Sequence, residues 1–223
     1  MLSAEKIMEG VFKISHFIGT QNLVPGKNVY GEELLRIQGA EYRLWNPNRS
    51  KTAAAIKKGL RKLHIKKGSK ILYLGAAEGT TISHLSDIVG EEGLIFGVDI
   101  SERSMRKFIY LCELRKNLVP ILSDASQPMT YKEHLEGIKI DALFQDVSQK
   151  NQAEIFLRNA RTHLKKGGYG FLAIKARSIS ASEPVGKIVD EEVSKLHDDF
   201  KIIDVINLEP FEKEHAMVYC KKK

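Results

Sequence analysis

Apolar and polar positions follow two different rhythms along this chain. Over the first fifty residues, short β-like runs at 11–18, 28–30 and 42–45 are separated by Gly19, Pro25-Gly26, Gly31 and Gly39, the punctuation of a small, twisted antiparallel unit. Its apolar residues are too few for a core of its own, so it is expected to pack on the rest of the chain. From Asn46 the pattern changes. Asn46-Pro47-Asn48-Arg49-Ser50 reads as a turn ending in an N-cap, and a helix is predicted from there to about residue 63. Ala53, Ile56, Leu60 and Leu63 share its inner face, leaving Lys57, Lys58, Arg61 and Lys62 outward. Strand-like runs come next at 70–74, 94–99, 119–123, 140–147, 169–175, 201–208 and 216–220, with helical patterns at 81–89, 102–116, 130–136, 152–164 and 185–198. This alternation predicts a mostly parallel α/β sheet with helices on both faces. Only about seven residues around Glu209-Pro210 join the last two strands, too few for a parallel crossover, so they are expected to form an antiparallel hairpin at one edge. The expected division is a small N-terminal β domain, residues 1–50, and an α/β domain, residues 51–223.

Composition supports a globular reading: 43% of the 223 residues are hydrophobic, which excludes disorder and collagen-like repeats. No apolar run approaches the ~20 residues of a membrane-spanning helix, and the first ten residues carry charges where a signal peptide needs an apolar core. A cytoplasmic protein without a membrane partner is expected. Cys112 and Cys220 lie far apart, with no Cys-x-x-Cys pair or histidine cluster; no metal site is predicted, and both thiols are expected to be reduced core residues. The net charge of +7 is concentrated. Ten basic residues and no acidic one lie between Arg43 and Lys70, so the rest of the chain sums to 7 − 10 = −3. Such a distribution suits a polyanion docking on one side, or else a solvated helix face.

Candidate chemistry collects at predicted strand ends. The first parallel strand runs into Leu74-Gly75-Ala76-Ala77-Glu78-Gly79-Thr80-Thr81, a small-residue turn that lets backbone approach a ligand and offers helix N–H groups. Asp99 ends the second strand, where a carboxylate can accept from ribose hydroxyls, and Asp124-Ala125 ends the third, suitably placed for adenine. Ala77 and Thr80 occupy the second and third glycine positions of a dinucleotide turn. The second is the one a pyrophosphate needs most, whereas S-adenosylmethionine carries no phosphate. That turn and the edge hairpin favour a class I methyltransferase (Rossmann-like) sheet over a dinucleotide-binding one; a turn that only packs helix on strand is the remaining reading. Methyl transfer to a hydroxyl requires the oxygen to be positioned and relieved of its proton. Asp146 and Lys175 end the fourth and fifth strands and could supply these functions, or could form a structural ion pair. His215, following Glu212-Lys213-Glu214, reads on pattern as a surface residue.

Three stretches closely resemble the fibrillarin family: Tyr42-Arg43-Leu44-Trp45-Asn46-Pro47-Asn48-Arg49-Ser50-Lys51, Leu74-Gly75-Ala76-Ala77-Glu78-Gly79-Thr80-Thr81-Ile82-Ser83-His84-Leu85-Ser86-Asp87, and Gln145-Asp146-Val147-Ser148-Gln149. The resemblance runs from about Val29 to the C-terminus. It implies an S-adenosylmethionine-dependent ribose 2′-O-methyltransferase acting on rRNA and tRNA, and, since no Gly-Arg-rich tail precedes the β unit, the archaeal form. By position, the family's catalytic set falls on Lys51, Asp146, Lys175 and His215. Its donor contacts fall on Thr80, Thr81, Asp99, Ile100, Asp124, Ala125, Asp146 and Gln149, beside the turn residues Gly75, Ala76 and Gly79. Asp99-Ile100 replaces the usual Glu-aromatic pair, which turns adenine stacking into aliphatic packing, and Glu78 stands where a small residue is usual. The implied partners are a box C/D guide RNA, the target rRNA and tRNA, a Nop-type scaffold protein and a kink-turn-binding ribosomal-protein-like subunit. Arg49, Lys57, Lys58, Arg61 and Lys62 are the expected RNA contacts beside Lys51, and no base-reading motif accompanies them. Two other classes, a donor-binding scaffold without catalysis and a nicotinamide oxidoreductase, fit these residues less well.

Overall fold

The computed structural model describes residues 2–223. The N-terminal sheet contains β1 (Ala4–Met8), β2 (Val11–Ile14), β3 (Phe17–Gln21), β4 (Leu34–Ile37) and β5 (Ala40–Leu44), antiparallel in the order β1-β2-β3-β5-β4. The expected single run over 11–18 is a hairpin, turned at Ser15 with φ 56°. Residues 28–30 form no strand: the Glu32 carboxylate accepts from the backbone N–H groups of Val29 and Tyr30, holding them in a loop. β1 and β4, half exposed and weakly patterned, carry no clear signal in the sequence.

Helix α1 (Lys51–Lys57) is capped by Ser50, whose side chain accepts from the Ala53 N–H. It ends at Lys57 rather than near residue 63, because Gly59 adopts φ +113°, outside the helical region. Leu60 and Leu63 are still buried, now on an extended segment running down the sheet. That sheet contains β6 (Lys70–Leu74), β7 (Leu94–Asp99), β8 (Leu118–Leu122), β9 (Ile140–Gln145), β10 (Leu164–Lys175), β11 (Phe200–Asn207) and β12 (His215–Lys222). Their order is β11-β12-β10-β9-β6-β7-β8. The β6–β10 block is parallel, and the β11–β12 hairpin is antiparallel as expected. The loop lets β12 turn inward, so it is β11 that forms the edge. Helices α2 (Thr80–Val89), α3 (Glu102–Leu114), α4 (Gln152–His163), α5 (Ala176–Ile179) and α6 (Val185–Ser194) pack on it, while Pro128–Leu135 is a 3-10 helix with a kink at Tyr131. Apolar clusters fill both faces of the sheet, the arrangement that strands buried on both sides require.

The two sheets meet across α2 through a buried ion cluster. Arg43 of β5 pairs with Glu32 (2.6 Å) and with Asp87 of α2 (2.9 Å), and Asp87 also pairs with Arg115 (2.6 Å); all four side chains are at most 2% exposed. Two cations and two anions balance. Ser83 Oγ accepts from Arg43, Asn22 Oδ1 from Arg115, and Asp87 Oδ1 from the Leu23 N–H. Beside this cluster lies His84, fully buried and stacked on Trp45 at 4.7 Å. Thr20 donates to Asp87 (2.6 Å), so its oxygen accepts from His84 Nδ1 (2.8 Å), leaving Nε2 to accept from the Tyr30 hydroxyl (2.8 Å). This network needs a neutral imidazole. Burial, then the nearby Arg43 and Arg115, holds the His84 pKa well below 6.5.

Removing one partner of a buried ion pair leaves an uncompensated charge and costs about 3–5 kcal/mol; Asp87→Ala, which leaves Arg115 without a carboxylate and Arg43 with Glu32 alone, is expected to lose that much in urea unfolding. His84 is neutral when folded but takes a proton below pH 6.5 once unfolded, so stability is full above that value and falls as pH drops toward 5. Unfolding free energies measured between pH 7 and 5 should fall less steeply for His84→Gln than for the parent.

Candidate active site

At the carboxyl edge of β6–β10, a crevice of about 470 Å³ opens between the strand ends and takes in Gly75, Asp99, Ile100, Asp124, Ala125, Asp146, Gln149 and Lys175. A larger hollow of about 580 Å³ beside Trp45 and His16 is lined mainly by apolar atoms and lies away from these strand ends. The crevice owes its shape to the close approach of two strands. Asp146 N–H donates to Leu74 O (2.9 Å), and a Cβ on Gly75 (φ +84°) would stand 2.5 Å from Asp146 O. Only glycine fits there.

Asp99 is oriented by backbone: Oδ2 accepts from the Ala77 N–H and Oδ1 from the Ser101 N–H, both at 2.8 Å. Each oxygen keeps a lone pair for a further donor. Ile100 beside it is 66% exposed, an apolar surface at the crevice rim. Asp124 Oδ1 accepts from the Ser126 N–H (2.8 Å) and from Gln149 Nε2 (3.1 Å). The Ser126 N–H foremost lowers the Asp124 pKa. A cleft with two fixed carboxylates, an apolar rim and no Cβ at Gly75 suits a neutral, hydroxyl-bearing nucleoside better than a phosphate.

On the other side of the crevice, Asp146 sits between two ammoniums. Lys51 Nζ is 3.2 Å from its Oδ2, and Lys175 Nζ is 2.8 Å from its Oδ1. Lys175 also donates to Ser148 Oγ (3.0 Å), and Lys51 lies 3.9 Å from Glu212. The Lys51, Asp146 and Lys175 side chains are 15–21% exposed, dry enough to strengthen the charges and open enough for substrate. Lys51 opens α1, where a cation opposes the helix dipole and no acidic residue follows in the first turn, a local departure of the kind expected at functional or strained sites. His215 pairs with Lys175 across the β10–β12 ladder, and its Nδ1–H donates to Lys213 O (2.6 Å), which fixes the ring and leaves Nε2 as the acceptor nitrogen.

Several predicted residues stand apart from the crevice. Ala76 is buried in the core, and Gly79 caps α2 where a Cβ would meet Leu111 at 2.5 Å. Thr81 donates to Ser50 Oγ (2.9 Å), tying the turn to the cap of α1, while Thr80 borders a separate hollow with Tyr30 and Arg49. Glu78 pairs with Lys107 on α3 and does not line the crevice. The basic stretch does not form one surface. Arg43 is internal, Arg49 lies over the Tyr30 ring (5.5 Å), Lys57 donates to His16 O (2.8 Å) and Lys58 is exposed. Arg61 and Lys62 border a hollow with Ile203 and Tyr219, away from the crevice, since α1 ends before them.

One contributor had no signal beyond its place at the start of a predicted helix. The side chain of Gln152, fully buried, accepts from the Lys175 N–H (2.8 Å) and donates to Lys175 O (3.3 Å). It thereby closes the backbone of Lys175 where β9 no longer reaches.

Comparison with known proteins agrees with this geometry. A family model described as Fibrillarin matches residues 2–223. A protein of Methanococcus voltae named fibrillarin-like rRNA/tRNA 2′-O-methyltransferase is 51% identical over 201 residues, 90% of this chain and 87% of that one. Aeropyrum pernix fibrillarin, solved with natively bound S-adenosyl-L-methionine, superposes with a TM-score of 0.90 at 45% identity, covering 99% of this chain and 97% of that one. The fibrillarin of a fibrillarin/Nop5p complex gives 0.88 at 36% identity over 98% and 100% of the respective chains.

Proposed function

Because the chain belongs to the fibrillarin family, we propose that it transfers a methyl group from S-adenosylmethionine to ribose 2′-hydroxyls of rRNA and tRNA, as the catalytic subunit of a box C/D ribonucleoprotein. The observation that carries the reading is the Asp146 carboxylate held between Lys51 and Lys175 at the wall of an adenosine-sized crevice. When bound, the donor supplies a methyl group on a positively charged sulfur, open to in-line attack. Asp99 accepts from its ribose hydroxyls, Ile100 covers the adenine face, and Asp124, Ala125 and Gln149 meet the adenine edge. Gly75 leaves room for its amino-acid end, while Ala76, Gly79 and Thr81 hold the turn in place behind it.

The chain's own groups then act on the acceptor. Asp146, oriented by Lys175, takes the proton of the 2′-hydroxyl, a role worth about 10²–10⁴-fold in rate. Lys51 and Lys175 face the developing alkoxide. His215, oriented by Lys213 O, lies beside Lys175 to relay that proton. Gln152 holds Lys175 in place.

Residues 51–223 form the methyltransferase domain in this reading, and residues 1–50 a small β domain that steadies it. Arg49, Lys57 and Lys58 meet substrate phosphates near the entrance. Such contacts are sequence-independent, so the register must come from a guide RNA, with a Nop-type scaffold and a kink-turn-binding subunit holding it. No helix is long and apolar enough to cross a membrane among the described residues; a cytoplasmic particle fits this reading.

Asp99→Ala is expected to weaken donor binding by about 1–3 kcal/mol, the cost of poorly paired hydroxyls, with the fold intact by circular dichroism; unchanged affinity in calorimetry would refute the ribose assignment. Lys175→Ala should lower turnover by about 10²-fold or more while donor affinity stays within a few-fold. A parallel loss of both would make Lys175 structural. Guide-directed transfer from labelled donor, omitting each partner in turn, tests the whole reading: site-specific methylation of unguided RNA by the isolated chain would overturn it.

A further inference from the structure

Much of the basic stretch is left unused by the crevice. Arg61, Lys62, Lys66 and Lys67 lie on the extended segment that leaves α1 and descends to the amino edge of the parallel strands, where β6 begins. There they border two hollows, of about 360 and 500 Å³, which share His64 and Tyr169 as a common wall. Lys201 and Lys221 join them from the sheet. They are direct cross-strand partners on β11 and β12, and Lys221 is likewise the partner of Tyr169 on β10, with its Nζ 5.6 Å over the Tyr169 ring.

Two features of this region call for an anion, and a third sets an aromatic ring beside it. Like charges directly opposite on neighbouring strands destabilise a sheet, yet Lys201 faces Lys221. None of these six cations has a carboxylate within 4 Å among the described residues; the acids at the rim, Glu9 and Asp141, are paired with Lys6 and Lys165, which leaves Asp204 as the counter-charge nearby. His64 adopts φ +51°, a left-handed conformation that costs a non-glycine residue energy. It is held by a hydrogen bond with the Tyr219 hydroxyl and by stacking on Tyr169 (4.0 Å, 11°), and is itself exposed.

The geometry points to a second RNA-binding surface here, remote from the crevice, on which the cations hold consecutive phosphates and the outer face of His64 stacks a base. Cations interleaved with an aromatic face are the means by which single-stranded nucleic acid is held without sequence choice. An acidic peptide would use the charges but not the ring. The inference rests on the RNA-modifying reading above, and it gives Arg61 and Lys62 an RNA contact that the crevice does not.

Binding of a labelled mixed-sequence single-stranded RNA to the full chain, followed by anisotropy from 50 to 300 mM KCl, tests it without donor or guide. Each phosphate contact to a single strand contributes about 0.7 to the slope of log K against log salt, so replacing Lys66, Lys67, Lys201 and Lys221 with Gln should reduce that slope by about 2–3. His64→Asn, which tolerates the left-handed conformation, should weaken binding about 5- to 100-fold, the cost of one lost stack, with the fold intact by circular dichroism. Ultraviolet crosslinks should map to His64 or Tyr169. An unchanged slope in the quadruple variant, crosslinks confined to the crevice, or displacement by oligoglutamate with no loss in His64→Asn would overturn the proposal. Methyl transfer in the assembled particle is measured separately: its absence in the parent chain sinks the functional reading, whereas its presence with a silent patch sinks this inference alone.

Discussion

The arrangement of the molecule depends on how one buried carboxylate is satisfied. Asp87 has no exposed surface and two guanidiniums to answer, Arg43 from the N-terminal sheet and Arg115 from the end of α3. A buried charge is tolerated only when paired and hydrogen-bonded, so the N-terminal sheet cannot leave α2 without stranding ions. The consequence reaches the chemistry. The same helix begins at the turn beside Gly75, and its second residue, Thr81, bonds to Ser50, the cap of α1. Lys51 is the next residue. Docking of the small sheet and delivery of Lys51 to Asp146 are thus two ends of one rigid connection.

The crevice depends on strand ends rather than loops for its precision. Gly75 and Asp146 are neighbours because β6 and β9 are paired to their last residues, and Lys175 is fixed by Gln152 where that pairing has stopped. Open α/β sheets bind ligands at this edge, and here the two halves of the crevice divide the work. The β7 and β8 ends present carboxylates fixed by backbone N–H groups, suited to hydroxyls and an adenine edge. The β9 and β10 ends present a carboxylate among ammoniums, suited to a proton and a developing negative charge.

Charge that is continuous in sequence is discontinuous in space. The basic residues from Arg43 to Lys70 enter three environments: Arg43 a dry ion cluster, Lys51 a partly dry pairing with Asp146, and the others solvent at opposite edges of the sheet. Gly59 is the divider. Ending α1 there releases twelve residues, 58–69, to span the sheet, whereas a helix continued to residue 63 would have kept the outward cations together near the entrance.

The sequence by itself determined the alternation of strands and helices, because strands buried on both faces must be continuous apolar runs, and the bounds of 70–74 and 94–99 were legible to the residue. It also determined the edge hairpin, through loop length, and the chemistry-bearing strand ends Gly75, Asp99, Asp124, Asp146 and Lys175. The tertiary structure alone decided what depends on distant partners. That Arg43 and Asp87 neutralise each other, that Thr81 serves Ser50, and that Gln152 completes a strand cannot be read from periodicity, since each is a polar residue whose role is set by what the fold brings within 3 Å. His215 read as a surface residue for the same reason: its value lies in the register that puts it across from Lys175, and register is a property of the folded sheet.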